Sequence, residues 1–136
     1  MKLWNAELLL GTNLNNREEN LKFARENIAD KIGEIFFESK ILETEPVGFT
    51  SEDLFLNQII RIKTALGPVK LLKALKKIEK SMGRVYTEPK FGEKYCSRII
   101  DLDILKFEQV KIWSDLLVLP HPQVEERPFV KEILCE

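Results

Sequence analysis

SRIIDLDILKF, residues 97–107, alternates aliphatic and acidic side chains through its middle. In an extended chain alternate residues share a face, so Ile100, Leu102 and Ile104 point one way while Asp101 and Asp103 point the other. The stretch therefore reads as a strand with one apolar and one anionic side. Upstream of it lies a helix: Gly67-Pro68 opens it, Leu71, Leu75, Ile78 and Met82 form one stripe, and Gly83 closes it. Further back, Leu56, Ile60 and Ile62 share a side of a strand over 55–64, and Ile35, Phe37, Ser39 and Ile41 share a side of a strand over 35–44, with a loop over 45–54 between them. Asn15 or Asn16 caps an earlier helix whose apolar positions are Leu21, Ala24, Ile28 and Ile32, and Gly33 is placed to end it. Residues 3–10 read as a central strand stopped by a turn at Gly11.

The order strand, helix, strand, strand, helix, strand predicts an α+β fold, the ferredoxin-like βαββαβ arrangement with an antiparallel sheet packed on two helices. Residues 108–120 add a short ribbon, and 124–135 a last helix that Pro128 restricts to starting near that position. A chain of 136 residues, 44% apolar and 32% charged, without repeat, low-complexity tract or Pro/Gly/Ser linker, is expected to form one domain over 1–136.

A formal net charge of −1 gives no overall field toward nucleic acid or an anionic membrane, so any polyanion must be met locally. Apolar runs are too short for a membrane span, and no cleavable apolar segment follows Lys2; the expected location is the cytoplasm. Cys96 and Cys135 have no metal-ligand spacing and are expected to stay reduced, with no disulfide.

Asp101 and Asp103 would stand roughly 6.5 Å apart at their Cα atoms. Two like charges at that spacing repel, and a divalent cation between them reverses the sign of that energy. They can hold magnesium ions that complete their shells with water and phosphate oxygens, or they can form a hydrated strand face. Arg98 precedes the pair and Arg84 follows Gly83, which supplies guanidinium groups for bidentate phosphate contact, or for ordinary surface ion pairs. Gly11-Thr12-Asn13-Leu14 can bind an anion at a helix start or cap the helix. Phe55 and Asn57 share a strand face, where they can stack on and hydrogen-bond a flat heterocycle or serve as core residues. His121, the only histidine, sits between Pro120 and Pro122 and cannot make a zinc site alone.

As a set, GTNL (11–14), TEPVG (44–48), FLN (55–57), GR (83–84), SRIIDLDIL (97–105) and PHPQVEERPF (120–129) resemble the 6-hydroxymethyl-7,8-dihydropterin pyrophosphokinase family of folate synthesis, in the family's order and across nearly the whole chain. The resemblance implies Mg-dependent transfer of the β,γ-pyrophosphoryl group of ATP to the pterin hydroxymethyl oxygen with release of AMP. It implies a monomer with a three-layered α/β/α sandwich on the ferredoxin-like core. By the same resemblance Asp101 and Asp103 would bind two Mg2+ ions, with Arg84 and Arg98 as catalytic partners. ATP would be held by Glu79, Arg84, Arg98, Ile104, His121 and Arg127. The pterin would lie between Phe55 and Phe129, its amide edge on Asn57 and on Thr44, Pro46, Val47 and Gly48.

Residues 85–97 correspond to the family's mobile loop, in which Tyr95 takes the place of a frequent tryptophan and would reach the substrate. The chain departs from the family pattern at Tyr86, where an arginine is common, and at Glu45 and Pro122, which replace a frequent proline and tyrosine. Two other classes share parts of this pattern. A nucleotidyltransferase also carries paired aspartates on such a sheet, and would release pyrophosphate instead of AMP. An RNA-recognition module has the same element order but presents aromatics and basic charge where this chain has aspartates.

Overall fold

The computed structural model describes residues 2–13, 16–44, 54–83, 99–114 and 116–121. In chain order its elements are strand β1 (Trp4–Thr12), helix α1 (Arg17–Lys31), strands β2 (Gly33–Glu38), β3 (Leu42–Thr44) and β4 (Phe55–Thr64), helix α2 (Pro68–Ser81), strand β5 (Asp101–Phe107), and a ribbon of β6 (Ile112–Trp113) and β7 (Val118–Leu119). The sheet runs β2-β4-β1-β5, with every pairing antiparallel. Strand β3 takes up the part of β4's edge that β2 leaves, pairing Leu42 with Asn57 and Thr44 with Phe55.

Both helices pack on one face of the sheet and touch each other there. Leu8 and Leu10 of β1, Ile60 and Ile62 of β4, and Leu102 and Ile104 of β5 meet Leu21, Ala24 and Ile28 of α1 and Leu71, Leu75 and Ile78 of α2. Burying each Leu or Ile stabilises the fold by about 1.5–3 kcal/mol relative to leaving it exposed, which makes this layer the main source of cohesion.

Local chemistry sets the helix ends. Asn16 caps α1, its side-chain oxygen accepting from the Glu19 N–H, while Glu18 and Glu19 in the first turn and Lys31 in the last suit the helix dipole. Gly67 and Pro68 open α2, and Gly83, at φ 97°, follows its C-cap Met82 in the left-handed region that an L side chain rarely adopts.

Three expectations are corrected. The first strand does not stop at Gly11; it continues through Thr12, because β4 and β5 flank it on both sides and extend the ladder over Gly11. Helix α1 does end just before Gly33, at Lys31 with Ile32 as its C-cap, but Gly33 is not a left-handed cap: it is the first residue of β2. A Cβ there would stand 2.1 Å from the Lys63 carbonyl oxygen, so the close approach to β4 demands glycine. The stretch 35–44 is not one strand with a shared side. A bulge between Ile35 and Phe37 sets Ile35 opposite Ile62 but Phe37 opposite Arg61, which turns the two to different faces. Ser39 keeps one main-chain bond to β4, its N–H donating to the Ile59 carbonyl at 2.8 Å, but the Ile59 N–H donates to the Ser39 hydroxyl instead of a backbone carbonyl, and strand pairing resumes only at Leu42. Regular pairing in the fourth long strand begins at Asp101, and the ribbon expected over 108–120 is present as β6 and β7. The last helix expected over 124–135 lies outside the described residues. Among the described residues no helix is long and apolar enough to cross a membrane.

Candidate active site

The second face of the sheet carries the chemistry. Gly11 of β1 pairs with Asn57 of β4 on one side and Asp101 of β5 on the other, and one row further Leu9 pairs with Ile59 and Asp103. Register partners share a face, so Asn57, Gly11 and Asp101 stand abreast on the side away from the helices, with Asp103 behind Asp101 and Phe55 beside Asn57. The missing side chain of Gly11 opens a hollow between them. A Cβ at this position would lie 3.4 Å from Asn57 Oδ1, 3.8 Å from the Phe55 ring and 4.0 Å from the Asp101 Cβ. An aromatic edge, an amide and a carboxylate-bearing side chain thus converge on one point.

Asn57 is buried, and its amide is held in one orientation. Nδ2 donates to the Leu42 carbonyl at 3.3 Å and to Thr44 Oγ1 at 2.7 Å. A carbonyl oxygen only accepts, so the NH2 group must face β3, and Oδ1 is left turned toward the hollow as an acceptor. Thr44, Phe55 and Asn57 stand together where β3 pairs with β4.

Among the described residues β5 is an edge strand of the sheet, and its outer side meets Glu79 and His121. The Leu102 N–H, between the two aspartates, donates to Glu79 Oε2 at 2.7 Å, with Glu79 1% exposed at the end of α2. Beyond Asp103, the His121 N–H donates to the Leu105 carbonyl at 2.9 Å, which brings the end of the ribbon against the same edge. A buried carboxylate accepting from a backbone N–H makes a charge-assisted bond stronger than a neutral one. Glu79 therefore fixes the peptide from which Asp101 and Asp103 project. Ile104 turns its side chain into the helix-side core, 2% exposed, so a ligand on the other face meets none of it.

The approach to Asp101 is pinned by a network that sequence reasoning missed. Thr12 Oγ1 donates to the Ile99 carbonyl, and Asn20 Nδ2 donates to both Thr12 Oγ1 and that carbonyl at 3.2 Å. Asn20 lies four residues before Ala24 and eight before Ile28, on the buried stripe of α1. A polar residue at core spacing was the available signal, because such a residue must find partners inside.

Asp101 and Asp103 are both half-buried. Among the described residues no cluster of three or more His, Cys, Asp or Glu side chains is placed to hold a metal ion. Two hard carboxylates without nitrogen or sulfur donors suit magnesium, which takes one or two protein carboxylates and completes its shell with water and substrate phosphate. Pro46, Val47, Gly48, Arg84, Tyr95, Arg98, Arg127 and Phe129, expected to complete the two substrate sites, lie outside the described residues.

A family model for 7,8-dihydro-6-hydroxymethylpterin-pyrophosphokinase (HPPK) matches residues 7–136. The chain belongs to the HPPK family. Among its relatives, the 2-amino-4-hydroxy-6-hydroxymethyldihydropteridine pyrophosphokinase of Porphyromonas gingivalis is 38% identical over 130 residues, covering 95% of this chain and 87% of the relative. The folate synthesis bifunctional protein of Arabidopsis thaliana is 45% identical over 123 residues, covering 90% of this chain but only 25% of the relative. The chain thus spans a quarter of that longer protein. A crystal structure of Plasmodium falciparum HPPK-DHPS with pterin and p-hydroxybenzoate superposes with a TM-score of 0.68 at 16% identity, covering 95% of this chain and 38% of that one. That likeness carries the HPPK fold: an antiparallel sheet with two helices.

Proposed function

We propose that this HPPK-family chain transfers the β,γ-pyrophosphoryl group of ATP to the hydroxymethyl oxygen of 6-hydroxymethyl-7,8-dihydropterin in folate synthesis. The observation that carries the reading is the hollow over Gly11, where Phe55, the acceptor oxygen of Asn57 and the Asp101 side chain converge. A pterin has a flat face for the aromatic ring and an amide edge with N–H donors for Asn57 Oδ1. The aspartate pair beside it supports placing the triphosphate there.

In this reading Asp101 and Asp103 hold the two magnesium ions. When bound, the metal neutralises phosphate charge and lowers the pKa of the acceptor hydroxyl. Glu79 keeps the two carboxylates in register by holding the Leu102 N–H. Phe55 and Phe129 enclose the ring, Thr44, Pro46, Val47 and Gly48 line its edge with Asn57, and Tyr95 covers it. Arg84, Arg98, His121 and Arg127 reach the phosphates. Ile104, with its side chain in the core, offers ATP only its backbone.

The hydroxymethyl oxygen attacks the β-phosphorus in line, the bond between that phosphorus and the α,β-bridging oxygen breaks, and AMP departs. Asp103 takes the hydroxyl proton and passes it to solvent. The strand order β2-β4-β1-β5 with two crossover helices supports a ferredoxin-like βαββαβ core; its elaboration into a three-layered α/β/α sandwich rests on the family resemblance. The whole of 1–136 then acts as one catalytic unit, a monomer with one pair of substrates.

The test is incubation with Mg-ATP and 6-hydroxymethyl-7,8-dihydropterin. AMP and pterin diphosphate are expected in equal amounts. Free pyrophosphate in place of AMP would indicate a nucleotidyltransferase, and no AMP above a control without pterin, from folded protein, overturns the proposal.

A further inference from the structure

Arg17, the first residue of α1, lies outside the catalytic constellation and touches both ends of the chain segment that leads from β3 to β4. Its Nη1 donates to Glu43 Oε2 at 3.1 Å and to the Leu54 carbonyl at 2.7 Å. Glu43 immediately precedes Thr44, and Leu54 immediately precedes Phe55; Thr44 and Phe55 are themselves register partners. One guanidinium therefore ties the start of α1 to the residues next to two of the groups that face the hollow.

We infer that Arg17 is a positioning residue for the pterin side of the site, an inference that rests on the function proposed above. The Coulomb part of its contact with Glu43 is small, since the two side chains are 32% and 48% exposed and solvent screens the pair. The geometric part matters more. A charge-assisted bond to the Leu54 carbonyl restrains the peptide that carries Phe55, and the contact with Glu43 restrains the strand whose next residue, Thr44, orients the Asn57 amide. Releasing both lets the ring and the amide acceptor drift apart, and misplacement by a fraction of an ångström already weakens recognition of a rigid bicyclic ligand. ATP, held from the β5 side, does not depend on these two restraints.

Arg17→Met keeps the aliphatic stem and removes the fork, and Glu43→Ala removes one of its acceptors from the other side. For Arg17→Met the expected result is a pterin KM and equilibrium dissociation constant raised about tenfold, with the ATP KM and kcat changed less than threefold. Glu43→Ala should move the same pterin constants in the same direction by a smaller factor and provides the test if Arg17→Met does not fold. An unchanged pterin constant in the folded variants overturns the inference, as does a loss shared equally by pterin and ATP, which would show a merely structural role. Wild-type protein in the same assay separates the two levels: no pterin-dependent AMP from wild type sinks the functional reading, whereas an active wild type with variants of unaltered pterin affinity sinks only the role of Arg17.

Discussion

The two faces of the central sheet are built from the same three strands and do opposite work. On the helix side, Leu8, Leu10, Ile60, Ile62, Leu102 and Ile104 interlock with α1 and α2 and hold the fold together. On the other side, the intervening residues of the same strands include Gly11, Phe55, Asn57, Asp101 and Asp103. None of these belongs to the continuous core cluster, and two are like charges that cost free energy when brought together. From Asp101 to Ile104 the change of role occurs at every residue; the alternation ends at Leu105, which is fully buried where the register with β1 shifts. The contrast shows how a site tolerates unfavourable electrostatics: each aspartate is flanked in sequence by residues whose burial stabilises the strand by more than the repulsion costs.

The sharpest way to break this comparison is to exchange the chemistry of one face and ask whether the other notices. Asp103→Asn should lower turnover on the order of a thousandfold, about 4 kcal/mol of transition-state stabilisation, with pterin binding still detectable and the urea midpoint no lower than wild type. Turnover near wild type would remove the role assigned to Asp103. The mirror experiment is Leu102→Ala, one residue away on the packed face, which should destabilise the fold by about 2–5 kcal/mol through a cavity in the layer shared with α2, read from urea denaturation. A loss below 1 kcal/mol would mean that this face is less tightly packed than its burial implies.

Glu79 joins the two faces, because it enters from the helix side and holds the peptide between the aspartates. Glu79→Leu leaves the Leu102 N–H without its acceptor and should cost about 1–3 kcal/mol. The magnesium concentration needed for half-maximal activity should rise as well, and a stability loss without that rise would confine Glu79 to the fold. Gly11→Ala asks about the hollow itself. The new methyl would sit 3.4 Å from Asn57 Oδ1, a contact tight enough to occupy ligand space but not to disrupt the strand. Pterin KM should rise several-fold while the thermal midpoint moves by less than about 4 °C. Smallest of all, Asn16→Ala should cost about 1 kcal/mol by removing the α1 cap, with kinetic constants unaltered once the protein is folded.

Much of this was legible in the residues. The alternation in 97–107 assigned Ile100, Leu102 and Ile104 to one face and the aspartates to the other, and both assignments hold. Asn15 or Asn16, Gly67-Pro68 and Gly83 marked helix ends by local chemistry, and the structure selects Asn16 as the cap. The break in 35–44 was not legible, because a bulge is one extra residue on one strand relative to its partner, so its signal lies in the pairing with β4 and not in β2 alone. Gly33 was misread for the same reason, since the carbonyl of Lys63 that requires a glycine there comes from a distant strand. Arg17 gave no sign of its contacts, as an arginine at a helix start is an ordinary surface residue until its two acceptors are known.

The residues alone determined the alternation of the four long strands with two helices, the two-sided character of the strand that bears the aspartates, and the family. They did so because hydrophobic periodicity, helix capping and turn chemistry act over a few neighbouring positions. Only the tertiary structure decided that Gly11 stands between Asn57 and Asp101, that Asn57 turns its oxygen toward the gap, and that a buried glutamate from a helix fixes the peptide between two metal-binding candidates. Those facts follow from inter-strand register, which is set by packing both faces of the sheet at once, and no local stretch of chain contains that information.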